Sequence, residues 1–304
     1  MNRVLVYGAS SDQGIPLINA LIRKGYNVRA VTRNPEKYKN EITSNIETIK
    51  ADLQDIESLK EASKGVDSIA MNLPFVFDKS IAKEWGLNIT SAAVEMGVRK
   101  IVFNTSCYVA PKDNGLEAHD GRRQIEKAIE NSGMDYVVIR SLVFMDNLLR
   151  FWSKPSIVNH NIFAYPCDPN LKISWICLED VAAFMAETLS SDDLRKDKIL
   201  VGGPEILVGD EVAQRFTNAL GREIKFSSLK PKNFAASMSK LITGSEEYEE
   251  VSIYAGMAAF YSWYNEQEPS PLAVDMNDLY KKLKIKPTYF EDWIKQHDWD
   301  NIQV

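Results

Sequence analysis

The sequence predicts an α/β fold: a doubly wound parallel sheet followed by a smaller α+β C-terminal lobe. Three observations predict it. Short apolar, β-rich runs alternate with helix-period segments through the first half of the chain, the loops between them are short, and a glycine-framed loop, GASSDQG (Gly8–Gly14), joins the first run to the first helix. Successive strand–helix–strand units of this size close as a parallel sheet with helices on both faces.

Each element follows from its own pattern. VLVYG reads as a strand, and Ile15, Ile18, Leu21 and Ile22 then recur at helical spacing until Gly25 ends the turn. YNVRAVTR is a second strand, IETIKADL a third, and QDIESLKEASKG a helix closed by Gly65. VDSIAMNLP is a fourth strand, followed by a helix from Ala82 to Met96 that stops at Gly97. KIVFNTS, a helix over Gly121–Asn131 and the strand MDYVVIR complete the series. In the second half, a Trp- and Phe-containing stretch runs to Pro166, and KISWICL then leads as a strand into the helix EDVAAFMAETL. The strand KILVGG, the helix GDEVAQRFTNALG, the strand EIKFSS and further C-terminal helices follow. We therefore expect a Rossmann domain over residues 1–150 and a smaller substrate or partner lobe over residues 151–304. The lobe is expected to be interleaved with the sheet, residues 174–190 returning to the sheet core, and to lie at the carboxyl edge where such sheets bind ligands.

A chain of 304 residues, 45% apolar and 26% charged, can bury a core without disulfides or metals and is not of disordered composition. A net charge of −6 argues against a nucleic-acid partner. Cys107, Cys167 and Cys177 are odd in number and lack CxxC spacing, and His119, His160 and His297 have no ligand partners at metal spacing, so no metal is expected. No stretch has the length of a membrane span or of a signal-peptide core, and a soluble, cytoplasmic protein is expected.

In GASSDQG, Gly8 and Gly14 stand where the turn and the helix–strand packing need glycine, and the helix start at Gln13–Gly14 offers backbone N–H groups to a pyrophosphate. Ser11 replaces the middle glycine of the usual fingerprint. It holds the turn if its backbone avoids glycine-only conformations, and its hydroxyl is a candidate phosphate contact. The plain alternative is an ordinary strand-to-helix turn. At the end of the second strand no acid appears; Thr32 and Arg33 do, with Lys37 nearby. An arginine there suits a 2′-phosphate, so NADP(H) is expected in preference to NAD(H), although a loop lysine such as Lys37 is as often merely solvated. Asp52 is placed either beside the adenine or as a helix cap.

Taken in order, GASSDQG, VTRNPEK, ADLQD, MNLP, HDGRRQIEKAIENSGMDYVVIRSLVFMDNL, KISWICLEDVA and GDEVAQRFTNALGREI resemble the NmrA-like branch of the atypical short-chain dehydrogenase/reductase superfamily. That group includes NADPH-sensing regulators and quinone or phenylpropanoid reductases. The resemblance implies that Gly8, Ser10, Ser11, Gln13 and Gly14 line the pyrophosphate and that Arg33 and Lys37 take the 2′-phosphate. It further implies that Asp52 and Leu53 flank adenine, and that Asn72, Leu73 and Pro74 lie beside the nicotinamide-side ribose. Ser106 falls where the superfamily places its catalytic serine or threonine, and Tyr108, Phe144, Met145, Asn147 and Trp152 would shape the substrate pocket.

The superfamily's proton donor is a tyrosine activated by a lysine one turn on, YxxxK. Tyr108 and Lys112 match literally, but Pro111 disfavours the helical turn that would join them. Tyr280 and Lys284 lie in the C-terminal helices. By counting, Arg122 stands at the place of the family's lysine and Ala118 at that of the tyrosine; an arginine can hold a ribose or a carboxylate but is a poor acid. His119 and Tyr108 remain candidate proton donors, or rim residues. Two readings follow: an NADPH-dependent oxidoreductase on a small apolar acceptor such as a quinone or enone, or a non-catalytic NADP(H)-binding redox sensor acting through a regulatory protein partner.

Overall fold

The computed structural model describes residues 2–35 and 46–300. The main sheet is built from β1 (Arg3–Tyr7), β2 (Asn27–Thr32), β3 (Glu47–Lys50), β4 (Ser68–Asn72), β5 (Lys100–Asn104), β6 (Asp135–Ser141) and β9 (Asp197–Val201). Its order is β3-β2-β1-β4-β5-β6-β9, and every neighbouring pair is parallel. This is the doubly wound order, with its reversal between β1 and β4. The central strands are continuous apolar runs because helices cover both faces: Val4, Leu5 and Val6 of β1 and Ile101, Val102 and Phe103 of β5 have no exposed surface.

The helices α1 (Gly14–Arg23), α2 (Ile56–Ser63), α3 (Lys79–Glu95) and α4 (Glu117–Asn131) start where their sequences provide caps or ties. Asp55 accepts from the Glu57 and Ser58 amides at the head of α2, and Asp78 accepts from Ser80 and Ile81 at the head of α3. The second cap starts α3 three residues before Ala82. The helix expected over Gly121–Asn131 begins at Glu117, because the Asp120 carboxylate ties down the Asn114 and Gly115 amides of the preceding loop. Gly121 is therefore an interior residue, and its missing side chain serves packing: a Cβ there would lie 3.2 Å from Ala82 Cβ on α3. Gly86 is its counterpart on α3, where a Cβ would lie 3.0 Å from Ile125 Cα of α4. Gly86→Val forces the two helices apart and is expected to destabilise the protein by about 1–3 kcal/mol, read as a lowered urea midpoint. An unchanged midpoint would contradict this close packing.

Inside this unit Glu126 of α4 is fully buried. Arg140 of β6 donates to it from Nε at 2.9 Å and Nη2 at 2.6 Å, and Lys198 of β9 donates at 3.1 Å. One carboxylate thus ties α4 to the last two strands of the sheet.

The chain divides into two compact units. The first comprises the described residues up to Ser141 together with Leu178–Val201, that is, β1–β6, α1–α4, the helix α6 (Leu178–Ser190) and β9. The second comprises Leu142–Cys177 and the residues from Gly202 on. It holds α5 (Lys154–His160), β7 (Ile162–Tyr165), β8 (Ile173–Ser174), β10 (Ile206–Leu207), α7 (Gly209–Leu220), β11 (Lys225–Ser228), α8 (Pro231–Thr243), α9 (Ile253–Asn265), α10 (Asn277–Leu283) and α11 (Phe290–Lys295). Two small sheets, β7 with β11 and β8 with β10, frame an aromatic core in which Phe163, Tyr165, Trp175, Phe216 and Phe290 meet edge-on or stacked. Of the expected strand KISWICL only Ile173–Ser174 is regular, with a single further bridge from Ile176 to Phe144. The strand expected at KILVGG is β9, which pairs with β6, so the main sheet takes its seventh strand from beyond α6. Among the described residues no helix is long and apolar enough to cross a membrane, and no cluster of three or more His, Cys, Asp or Glu could hold a metal.

Candidate functional site

The loop after β1 is built around its two glycines. Gly8 has φ +71°, and a Cβ on it would collide with the Asn72 carbonyl at the end of β4; a Cβ on Gly14 would collide with the Gly8 and Ala9 carbonyls. Ser11 closes the turn between them. Its amide and its hydroxyl both donate to the Gly8 carbonyl, at 3.0 and 2.7 Å, and its Oγ accepts from the Gly14 amide at 3.2 Å. It is not among the residues with positive φ. The hydroxyl proton expected to meet a phosphate is thus spent on the turn.

Behind the loop lies a polar network at the carboxyl ends of β4, β5 and β6. Asn104 donates from Nδ2 to Gln13 Oε1 at 2.8 Å and to Asn72 Oδ1 at 3.0 Å. Its Oδ1 accepts from the Ser106 amide at 3.0 Å and from the Ser141 hydroxyl at 2.7 Å. Ser106 is buried, sits at φ +61°, and gives its hydroxyl proton to Gln13 Oε1 at 3.0 Å. A left-handed serine pinned on both sides marks local strain at the mouth of the sheet. Asn72 Nδ2 is buried and has no partner among the described residues.

In front of the loop is a cavity of about 470 Å³ at the carboxyl ends of β1, β2, β3 and β4. Of the residues expected to hold a cofactor, Gly8, Ser10, Ser11, Arg33, Asp52, Leu53, Leu73 and Pro74 line it. Gln13, Gly14, Asn72 and Ser106 do not line it and brace it from behind, while Thr32 accepts the Asn34 amide at 3.2 Å and so shapes the turn that carries Arg33. Lys37 lies outside the described residues. Asp52 is exposed on the rim; the α2 cap is Asp55, and Asp52 instead accepts the Gln54 amide at 3.0 Å. Sequence reasoning missed Tyr7, Val31, Ala51, Gln54 and Trp85 in the lining. Four of them flank motif residues directly, whereas Trp85 arrives from α3 and no local pattern marks it.

The candidate proton donors fare differently. His119 has no exposed surface; burial, with the Arg123 charge behind it, pulls its imidazole down to about 3, and Asn114 Nδ2 meets its Nδ1 at 3.1 Å. It is neutral at working pH and cannot serve as an imidazolium acid. Because the unfolded chain keeps the ordinary value of 6.5, the unfolded state binds the extra proton, so stability is expected to fall as pH drops from about 6.5 toward about 3. His119→Gln removes that part of the acid sensitivity, checked by denaturant midpoints across this range; an unchanged pH slope would contradict the assignment. Tyr108 is half-buried, burial raises its phenol, and its ring meets His119 edge-on at 6.1 Å. The segment from Tyr108 to Lys112 is irregular, so the literal YxxxK makes no helical pair. The other literal pair is structural: the buried Tyr280 hydroxyl donates to the Gly202 carbonyl at 3.2 Å, and Lys284 caps α10 with φ +53°.

Arg122 is buried, donates from Nη2 to the Leu73 carbonyl at 2.8 Å, and lies 4.4 Å from the centre of the Phe75 ring and 6.0 Å from that of Phe103. Burial pulls it down to about 10, which leaves it charged at neutral pH.

Of the residues expected to shape a substrate pocket, Tyr108 belongs to the first unit and Phe144, Met145, Asn147 and Trp152 to the second. Phe144 and Met145 are buried, the Asn147 amide donates to the Phe144 carbonyl at 3.2 Å, and Trp152 packs on Tyr165 at 6.0 Å and on Phe234 at 5.2 Å. These contacts account for Phe144, Met145 and Trp152 as packing of that unit's own core.

Residues 1–294 match the model of the NmrA-like family. The NAD(P)H azoreductase of Xenophilus azovorans is 26% identical over 226 residues, 74% of this chain and 77% of that protein. Among solved structures, a nucleoside-diphosphate-sugar epimerase from Staphylococcus aureus superposes with a TM-score of 0.79 at 21% identity, covering 97% of this chain and 100% of the other. The NADPH-dependent quinone oxidoreductase QOR2 of Escherichia coli, complexed with NADPH, gives 0.78 at 20% identity, covering 96% and 99%.

Proposed function

The chain belongs to the NmrA-like family, and from that premise we propose that it is an NADPH-dependent oxidoreductase acting on a small apolar acceptor such as a quinone or enone. The observation that carries the proposal is the cavity across the switch point of the sheet. It combines a glycine turn against β4, apolar walls from Val31, Ala51, Leu53 and Leu73, and an exposed arginine at the end of β2. Those walls suit a purine, and Arg33 suits a 2′-phosphate. The azoreductase and quinone oxidoreductase relatives are named for nicotinamide-dependent reductions, which supports the reaction class. A bound reduced nicotinamide supplies hydride. The protein's own part is to keep the loop rigid through Ser11 and Asn104 and to exclude water with the apolar walls.

A second reading, an NADP(H)-binding sensor without turnover, is favoured by the neutral buried His119 and by the irregular backbone of the Tyr108–Lys112 segment. Oxidation of NADPH, followed by absorbance against a panel of quinones, enones and aldehydes, separates the two. Turnover with at least one acceptor is expected. Binding of NADPH and NADP+ with no turnover on any acceptor would sink the enzyme reading in favour of the sensor.

A further inference from the structure

Two neighbouring arginines on α4 are equally buried and very differently provided for. Arg123 is ion-paired with Asp113 at 2.6 Å and with Asp120 at 3.3 Å, and it also donates to the Ala110 and Lys112 carbonyls. Among the described residues Arg122 has one hydrogen bond, to the Leu73 carbonyl, and two aromatic faces; its buried Nη1 has no partner among them, and none of their carboxylates pairs with it. A buried cation without a counter-anion is costly and persists where something other than stability retains it. Its cover on one side is slight, since Phe75 is itself 43% exposed, in the irregular segment after β4.

Position narrows what the unmet arm awaits. In a doubly wound sheet the pyrophosphate sits at the first strand–helix turn and the adenosine over the strands on that side, here β1, β2 and β3. Arg122 lies on the other half, between the Leu73 carbonyl at the end of β4 and Phe103 of β5. That is the half where a dinucleotide's redox ring and its acceptor meet, away from the phosphates.

We infer that Arg122 is the group that receives the negative charge of the reduced acceptor, its free Nη1 pairing with the acceptor's oxygen once Phe75 swings aside. The inference rests on the reductase reading above. In the step, a hydride and its electron pair pass from a reduced nicotinamide to a conjugated carbonyl acceptor, the nicotinamide is oxidised, and the carbonyl π pair moves onto oxygen. The guanidinium stabilises that oxyanion without giving up a proton, and water then supplies the proton. The site is accordingly selective for acceptors that are anionic or become so, and it disfavours cationic ones.

The test uses the full chain saturated with NADP+, titrated with 2-hydroxy-1,4-naphthoquinone, an anion at neutral pH, and with neutral 2-methyl-1,4-naphthoquinone. Arg122→Gln is expected to lose at least tenfold in affinity for the anion while its affinities for NADP+ and for the neutral quinone change less than threefold. Arg122→Lys keeps part of the preference for the anion. Phe75→Ala, which leaves the guanidinium in place, tightens anion binding and covers the case in which Arg122→Gln fails to fold. Equal loss of NADP+ and anion affinity in Arg122→Gln would make the arginine a cofactor or structural residue and overturn the inference, as would unchanged anion affinity in both Arg122→Gln and Phe75→Ala. Because binding to the oxidised complex is measured without turnover, absence of any reductase activity defeats the reading of function separately from this assignment.

Discussion

Arg33→Ala is expected to weaken NADPH binding by about 10- to 100-fold and to leave NADH binding within about threefold, as measured by quenching of protein fluorescence or by calorimetry. The size follows from the loss of one or two charge-assisted hydrogen bonds to a phosphate, each about 1.5–3 kcal/mol. The asymmetry follows from chemistry: NADH has no 2′-phosphate for the guanidinium to meet. Arg33 is exposed at the end of β2 and lines the cavity beside Asp52, so its removal leaves the fold untouched. Equal losses for the two cofactors would show that the arginine contacts the shared part of the dinucleotide, and would remove the basis for an NADPH preference. Steepening of the NADPH affinity at low salt in the wild type, and its flattening in the variant, is the accompanying ionic-strength signature.

The largest effect on stability is expected at Glu126. Its carboxylate is fully buried and accepts from Arg140 and Lys198; Lys198 keeps a second partner in Glu130 at 2.6 Å, so Glu126→Ala strands the mostly buried Arg140. Breaking one partner of a buried ion pair costs about 3–5 kcal/mol, enough to shift thermal unfolding by several degrees in a chain of this size. Unfolding followed by circular dichroism checks it. A shift of less than about 1 kcal/mol would mean that water reaches the stranded guanidinium. Neither Glu126 nor its partners Arg140 and Lys198 line the cavity, so NADPH affinity of the surviving folded protein is expected to stay near wild type.

Much of this molecule was legible in local sequence because the signals are local. The alternation of apolar runs with helix-period segments led directly to β1–β6 and their helices, since a strand buried on both faces must be continuously apolar. The two glycines of GASSDQG are legible for the same kind of reason: a positive φ and the Asn72 carbonyl leave no room for a side chain at Gly8, and the Gly8 and Ala9 carbonyls leave none at Gly14. The start of α4 was misplaced by four residues because Gly121 looks like a boundary, whereas its purpose is contact with Ala82 on a different helix. Ser11 was recognised as a departure from the fingerprint, yet its use was decided by where its hydroxyl could reach, and the nearest acceptor is the Gly8 carbonyl.

By itself, then, the sequence determined the fold class, the glycine-framed loop and the basic end of β2, because periodicity, glycine and charge act over a few residues. Only the tertiary structure decided which of the candidate residues face the cavity and which brace it. It also brought Trp85 to the lining from a separate helix, and separated two adjacent arginines into one fully paired and one left with an unmet arm. His119 follows the same pattern: its residue type suggests a group that titrates near neutrality, and its burial holds it neutral. Burial and pairing are set by what other segments place around a side chain, and those segments are distant in the chain.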